Sequence, residues 1–204
     1  MKSDGSRAAK RALDLGLALV ALPLVLPLMA AVSLWVRLDS PGPVLFRQER
    51  VGRDGQLFRI HKFRTMHVQA AGAGPQLTAA GDARVTRAGR WLRRTKLDEL
   101  PQLIDVLKGD MSLVGPRPEV PRYMALYADD VRQKILSVKP GITDRAAIEF
   151  LDEERLLALS DNPEATYVQH IMPIKQAYYL EYVDQHSVAG DLRILLDTLR
   201  ALFK

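Results

Sequence analysis

The stretch RRTKLDELPQLIDVLKGDMSLVGPRP, residues 93–118, decides how the rest of this chain is read. Two adjacent carboxylates, Asp98 and Glu99, follow the cations Arg93, Arg94 and Lys96, and a Gly-Pro-Arg-Pro corner ends at Pro118. Leu100, Leu103, Ile104 and Leu107 recur at helical spacing and predict a helix over 100–107. Asp98 is placed to cap that helix, with Pro101 in the first turn, where its missing donor costs nothing. The same geometry has a chemical reading. A helix start offers free amides and a partial positive charge, which suit a phosphate. A lone carboxylate is repelled by a diphosphate; flanking Arg and Lys, or a divalent cation shared by Asp98 and Glu99, remove that barrier. Val114-Gly115-Pro116-Arg117-Pro118 also has two readings. It is a turn with a solvated arginine, or a preset loop aiming a guanidinium fork at phosphate or a base.

Outward from this stretch, Val85 to Arg94 reads as a helix, and residues 44–51 (VLFRQERV) and 56–62 (QLFRIHK) as two short strands. Gly52-Arg53-Asp54-Gly55 between them supplies the glycines a hairpin turn needs. KFRTM, residues 62–66, leads into the low-complexity loop HVQAAGAGPQLTAAGD, which serves as a linker or a lid. Lys139 to Thr143 (KPGIT) reads as a second turn, and Asp152-Glu153-Glu154 as a solvated helix face. The last segment, DLRILLDTLRALFK, is amphipathic, with Leu192, Leu195, Leu196, Leu199 and Phe203 on one side. Core packing and a seat in a membrane interface both account for it. The four histidines show no ligand spacing.

Leu15 to Val36 is an uncharged, largely apolar run preceded by Lys2, Arg7, Lys10 and Arg11. It is about long enough to cross a hydrocarbon core of roughly 30 Å. A cleaved signal peptide and a buried helix of a soluble protein are the plain alternatives. Two features favour a re-entrant hairpin over a straight span. Pro23 and Pro27 interrupt the run, each removing a backbone donor. Basic residues flank both sides, with Arg37, Arg47, Arg50 and Arg53 following, so the positive-inside tendency draws both ends to the cytoplasm. The expected division is a membrane-embedded segment over residues 1–40 and a catalytic domain over 41–204.

A net charge of +5 suits an anionic partner such as nucleic acid, an acidic membrane or a phosphorylated substrate. No basic stripe is interleaved with aromatic residues, as a single-strand nucleic-acid platform requires. With no cysteine there is neither a disulfide framework nor a Cys-ligated zinc.

The Pro-interrupted apolar start, FRQERVG, FRIHKFRTM, the long central block and KPGIT, in this order, resemble the bacterial sugar transferases, small monotopic phosphoglycosyl transferases acting on polyprenol phosphate. The resemblance implies a mostly helical α/β fold. Its parts would be an N-terminal re-entrant membrane hairpin helix, a small β-hairpin and a helical catalytic domain with interfacial amphipathic helices. It implies transfer of a sugar-1-phosphate from a UDP-sugar to undecaprenyl phosphate, releasing UMP, as the first membrane step of bacterial glycoconjugate synthesis. By similarity Asp98 is the nucleophile, and Glu99 completes the dyad that holds Mg2+. Lys62, Arg64, Arg93 and Arg117, with Pro116 and Pro118 framing the last, bind substrate phosphates, and Pro23 with Pro27 breaks the hairpin. The implied location is the bacterial inner membrane with the catalytic domain on the cytoplasmic face. The implied partners are the nucleotide sugar, the lipid acceptor and the membrane, with a second copy of the chain as a further candidate and no nucleic acid. Many relatives continue the PGIT turn into a QVNGR-like run. This chain reads PGITDRAAIEFLDEE, with Leu151 where that arginine would align and Arg145 or Arg155 as substitutes. A loss of catalysis within the family, or a membrane-tethered scaffold, is the alternative function.

Overall fold

The structure, a computed structural model, describes residues 4–68 and 77–203. Lys2 and half of the low-complexity loop lie outside the described residues. In chain order a long helix α1 (Asp4–Asp39) leads into a hairpin of β1 (Leu45–Val51) and β2 (Leu57–Phe63), then α2 (Arg87–Arg94) and α3 (Gln102–Lys108). Strand β3 (Ser112–Val114) is followed by α4 (Pro121–Met124), α5 (Asp129–Ile135) and β4 (Gly141–Thr143). The short helices α6 (Arg145–Glu149), α7 (Glu153–Ala158) and α8 (Pro163–Thr166) precede α9 (Met172–Gln185) and α10 (Val188–Leu202). The fold is mostly helical, as expected.

The expected hairpin is present, with Leu45 opposite Phe63 and Val51 opposite Leu57. Its turn places Asp54 and Gly55 at positive φ, 57° and 78°. KPGIT is not merely a turn. Gly141–Thr143 forms a strand that pairs in parallel with β3, Ser112 opposite Gly141 and Val114 opposite Thr143. The glycines of the two motifs meet back to back, since a Cβ on Gly141 would lie 2.1 Å from the Gly115 amide nitrogen. Gly115 N–H donates to Thr143 O at 3.0 Å, and Gly141 N–H to Pro116 O at 3.0 Å. This close approach fixes the loop that carries Arg117.

Helix α1 continues through both prolines as one element, so the expected break does not interrupt it. Each proline still leaves the carbonyl four residues earlier without its helical donor. Both ends of α1 are fastened to the body of the protein. Near the start, Arg11 donates to Val106 O at 2.6 Å and Leu107 O at 3.0 Å, capping the C-terminal end of α3. The buried Asp14 accepts from Ser112 Oγ at 2.8 Å and from Leu113 N at 3.1 Å. At the other end Asp39 accepts from Ala88 N at 3.0 Å, in the first turn of α2, where a carboxylate suits the helix dipole. Val32 and Val36 pack there on Phe63 and Leu92. From Leu19 to Leu28 no side chain of α1 is buried, and Leu19, Val20, Leu24, Leu26 and Leu28 are exposed. The element that carries this exposed apolar stretch therefore also braces the two helices that bracket residues 95–101.

Most of the apolar side of the last segment faces outward. Leu192, Leu196 and Leu199 on α10, and Phe203 just past it, are exposed, while Asp191 and Ile194 are buried and Leu195 packs half-buried on the core. Core packing thus explains Ile194 and Leu195. In the largest core cluster Tyr123, Tyr127, Ile135, Leu157, Tyr167, Ile171 and Tyr179 join α4, α5, α7 and α9.

Candidate active site

Asp98 does not cap the following helix. Residues Leu97–Glu99 form a single 3-10 turn, and α3 starts only at Gln102, behind Pro101, with no side-chain cap. Lys96, entering the turn, adopts a left-handed conformation at φ 57°, a strained choice for a residue with a Cβ. The turn leaves the Asp98 carboxylate unclaimed. Asp98 is 7% exposed, yet its Oδ1 is buried without a hydrogen-bond partner among the described residues. A buried carboxylate oxygen with no donor is costly unless a ligand completes it.

Glu99 is in the opposite situation. Arg117 grips it with two bonds, Nη2 to Oε1 at 2.5 Å and Nη1 to Oε2 at 2.7 Å. Lys62, from β2, donates to the same Oε1 at 2.9 Å. Arg117 Nη1 also donates to Ile142 O at 2.7 Å, and the Arg117 amide donates to the buried Asp144 at 3.1 Å. Asp144 accepts from Ala147 N at 2.8 Å too, so one carboxylate caps α6 and pins the Pro116–Pro118 corner. The Pro118 carbonyl accepts from Arg50 at 2.9 Å, and the Pro116 carbonyl joins β4 as described above. Both prolines act through the backbone.

These environments drive the two acids apart. Burial, and then the neighbouring Glu99 charge, push the Asp98 carboxyl up to about 6, against the pull of Lys62, Arg93 and Lys96. Burial would also raise Glu99, but Arg117 and Lys62 outweigh it and hold that carboxyl well below the usual range. Burial lowers the Lys62 ammonium, opposed by Glu99. One acid is a fixed anion that organises two cations. The other is a buried carboxyl raised to about 6 whose Oδ1 has no hydrogen-bond partner among the described residues, a division typical of reactive sites.

Arg93 belongs to the same neighbourhood, since its charge acts on Asp98. Its guanidinium is engaged by Glu154 of α7, Nε at 2.8 Å and Nη2 at 2.6 Å, and by Thr65 Oγ1 at 3.1 Å. Glu154 is therefore not part of a solvated face, and neither is Glu153, which pairs with the buried Lys175. Arg64 is not in the cluster. It is buried at the foot of α1, donating to Pro43 O at 2.6 Å, Ser40 Oγ at 2.5 Å and Ser40 O at 2.8 Å, so its role is to lock α1 to the hairpin. Of the two candidate substitutes for the missing arginine, Arg145 pairs with Glu181 of α9, and Arg155 stands exposed on α7. Two further contributors escaped sequence reasoning. His61, beside Lys62, is buried, and its Nδ1 lies 2.6 Å from Asp105 Oδ1; its amide donates to Asp105 Oδ2 at 2.9 Å. That double link fixes β2, and with it Lys62, against α3.

A divalent cation fits the site in one respect. Among the described residues no three His, Cys, Asp or Glu side chains cluster as a closed cage. Magnesium needs no such cage, because it is often held by one or two carboxylates plus substrate phosphates and water. The unpartnered Asp98 oxygen suits that mode; Glu99 would have to release a cation to join.

The chain matches the bacterial sugar transferase family over residues 5–204. The chain belongs to that family. Among relatives, the UDP-N-acetylgalactosamine-undecaprenyl-phosphate N-acetylgalactosaminephosphotransferase of Aeromonas hydrophila is 44% identical over 95% of this chain and 43% of its own length. The UDP-glucose:undecaprenyl-phosphate glucose-1-phosphate transferase of Escherichia coli K12 is 40% identical over 97% of this chain and 40% of its own. A protein of the same name from Caulobacter vibrioides is 38% identical over 95% of this chain and 69% of its own. The chain thus spans less than half of the first two. These family members are named for different sugars on one lipid acceptor.

Proposed function

We propose that this protein transfers a sugar-1-phosphate from a UDP-sugar to undecaprenyl phosphate through a covalent intermediate on Asp98. The observation that carries the reading is the Asp98 oxygen, buried and unpartnered beside the charges of Lys62, Arg93 and Lys96. In the first half, an Asp98 oxygen attacks the phosphorus that bears the sugar. The bond from that phosphorus to the bridging oxygen breaks, and UMP departs with the electron pair. In the second half, an oxygen of undecaprenyl phosphate attacks the acyl phosphate. The Asp98 carboxylate is regenerated, and the lipid diphosphate sugar leaves. Splitting the transfer lets one seat serve two bulky phosphates in turn.

Arg117 and Lys62, neutralised by Glu99 until substrate arrives, turn toward phosphate oxygens as charge develops on them. Asp98, with Glu99 in support, would hold magnesium, which when bound would supply charge neutralisation on the diphosphate and its leaving group. A membrane-tethered scaffold would have no use for a buried carboxylate without a partner. The test is UMP release from a panel of UDP-sugars with undecaprenyl phosphate and Mg2+. Turnover of one or more sugars is expected; silence across the panel in lipid-reconstituted protein would refute the activity.

The same reading places the site at the headgroup level of the cytoplasmic face. A span carries its ends to opposite sides of a core about 30 Å thick. Here Arg11 and Asp39 are both bonded to one body, which supports a segment whose two ends stay on one side of the membrane, even though α1 runs through Pro23 and Pro27 as one helix. The outward stripe of α10 supports an interfacial seat for that helix. Cysteines introduced at Ser6 and Ser187 should be labelled from the same side of sealed vesicles. Labelling from opposite sides would establish a span instead.

A further inference from the structure

Three of the cations at the site, Lys62, Arg93 and Arg117, differ in how their counter-charges are held. Lys62 and Arg117 share Glu99, whose side chain is 14% exposed and which follows Asp98 directly in the chain. Arg93 instead takes its counter-charge from Glu154, whose side chain is 36% exposed and lies 61 positions away in sequence. Two nitrogens of the Arg93 guanidinium meet one Glu154 oxygen, and the third nitrogen donates to Thr65. A carboxylate on an arginine fork holds the ground that a phosphate oxygen would take. The backbone around Glu154 is anchored independently of this pair. Its carbonyl accepts from Ala80 N at 2.9 Å, and the adjacent Glu153 pairs with Lys175. The Glu154 side chain can therefore leave Arg93 for water while α7 stays docked. It also lies just past residues 144–151, where this chain departs from the QVNGR-like run.

We propose that Glu154 is a displaceable stand-in for donor phosphate on Arg93, and that its competition sets the affinity for the nucleotide diphosphate. The inference rests on the phosphoglycosyl transfer proposed above. Glu154 is a positioning residue acting through Arg93; it touches no reacting atom. Displacement exchanges one charge-assisted pair for another, so its cost appears in binding rather than in the chemical step.

The experiment measures UDP binding with Mg2+ by titration calorimetry on the full chain in nanodiscs, together with the steady-state rate of UMP release. Glu154→Gln and Glu154→Asp both weaken the pair without opening a core. Each is expected to bind UDP about three- to ten-fold more tightly, as the fraction of protein with Arg93 open rises. KM for the UDP-sugar should fall in step, with kcat unchanged. Combined with Arg93→Ala, Glu154→Gln should bring no gain. Unchanged or weaker UDP binding in both single variants overturns the proposal, as does a gain that persists without Arg93. A wild-type protein that binds no UDP and releases no UMP sinks the transfer reading as well. Wild-type turnover without any gain in the variants sinks only the role of Glu154.

Discussion

Asp98→Asn is expected to remove UMP release altogether, a loss of at least about a thousandfold, because an amide oxygen cannot form the acyl phosphate. The folded protein should survive. Burial and the Glu99 charge raise the Asp98 carboxyl to about 6, so its ionised form is disfavoured in the fold relative to the unfolded chain. The sign follows from linkage: a carboxyl raised on folding costs stability once pH exceeds its folded value, and that cost disappears below the unfolded value. At pH 7.5 the wild type bears the full cost and the asparagine variant bears none. Its Tm should therefore equal or exceed that of the wild type while its activity is gone. The same carboxyl shapes the acid limb of the wild-type profile. Protonation below about pH 6 silences the nucleophile, so kcat/KM, which reports the free enzyme, should fall on the acid side with a midpoint near 6. Residual turnover in Asp98→Asn, or a donor-derived label found on another side chain, would remove Asp98 from the reaction.

The sequence made the dyad visible because Asp98, Glu99, Arg117 and the prolines around it sit within one short stretch. It also gave the hairpin, α2 and the amphipathic end, each of which rests on local periodicity or turn chemistry. It misjudged what depends on the three-dimensional path. Local pattern made Asp98 a cap, but the left-handed Lys96 and the Leu97–Glu99 turn delay the helix and leave the carboxylate free. KPGIT reads as a turn in isolation and becomes a strand only because β3 lies beside it. Arg64 looks like one more phosphate ligand from its neighbours in KFRTM, and alternation would put it on the same face as Lys62; but β2 ends at Phe63, so Lys62 meets Glu99 while Arg64, past the strand, turns to the foot of α1. Glu154 had no local signal at all. An acidic residue in a short helix looks solvated until a distant arginine is placed against it.

The apolar first helix shows the same limit from the other side. Its composition suggests a membrane segment, but nothing in its periodicity announces that Arg11 caps α3 or that Asp39 meets α2. Those bonds tie the exposed apolar helix to the two helices that flank the dyad.

Arg117→Ala should be nearly as damaging as loss of the nucleophile, and for a different reason. Removing the guanidinium deletes the two-pronged grip on Glu99, leaving that acid with Lys62 as its remaining partner. Stranding one member of a buried pair costs about 3–5 kcal/mol; with Arg117 29% exposed at its side chain, about 2 kcal/mol is the reasonable expectation. A lower Tm would record that cost. The catalytic loss should be larger, about a hundredfold or more in kcat/KM, as expected when a preorganised donor to developing phosphate charge is removed. Arg117→Lys separates charge from shape. Lysine keeps the cation but cannot hold both Glu99 oxygens and the Ile142 carbonyl from one plane. It should regain most of the stability and only part of the rate, with kcat rather than KM carrying the deficit. Full activity in Arg117→Lys would mean that charge alone suffices, and the preset Pro116–Pro118 corner would lose its catalytic meaning. Full activity in Arg117→Ala would leave Glu99 and Lys62 as the working pair and remove Arg117 from the site.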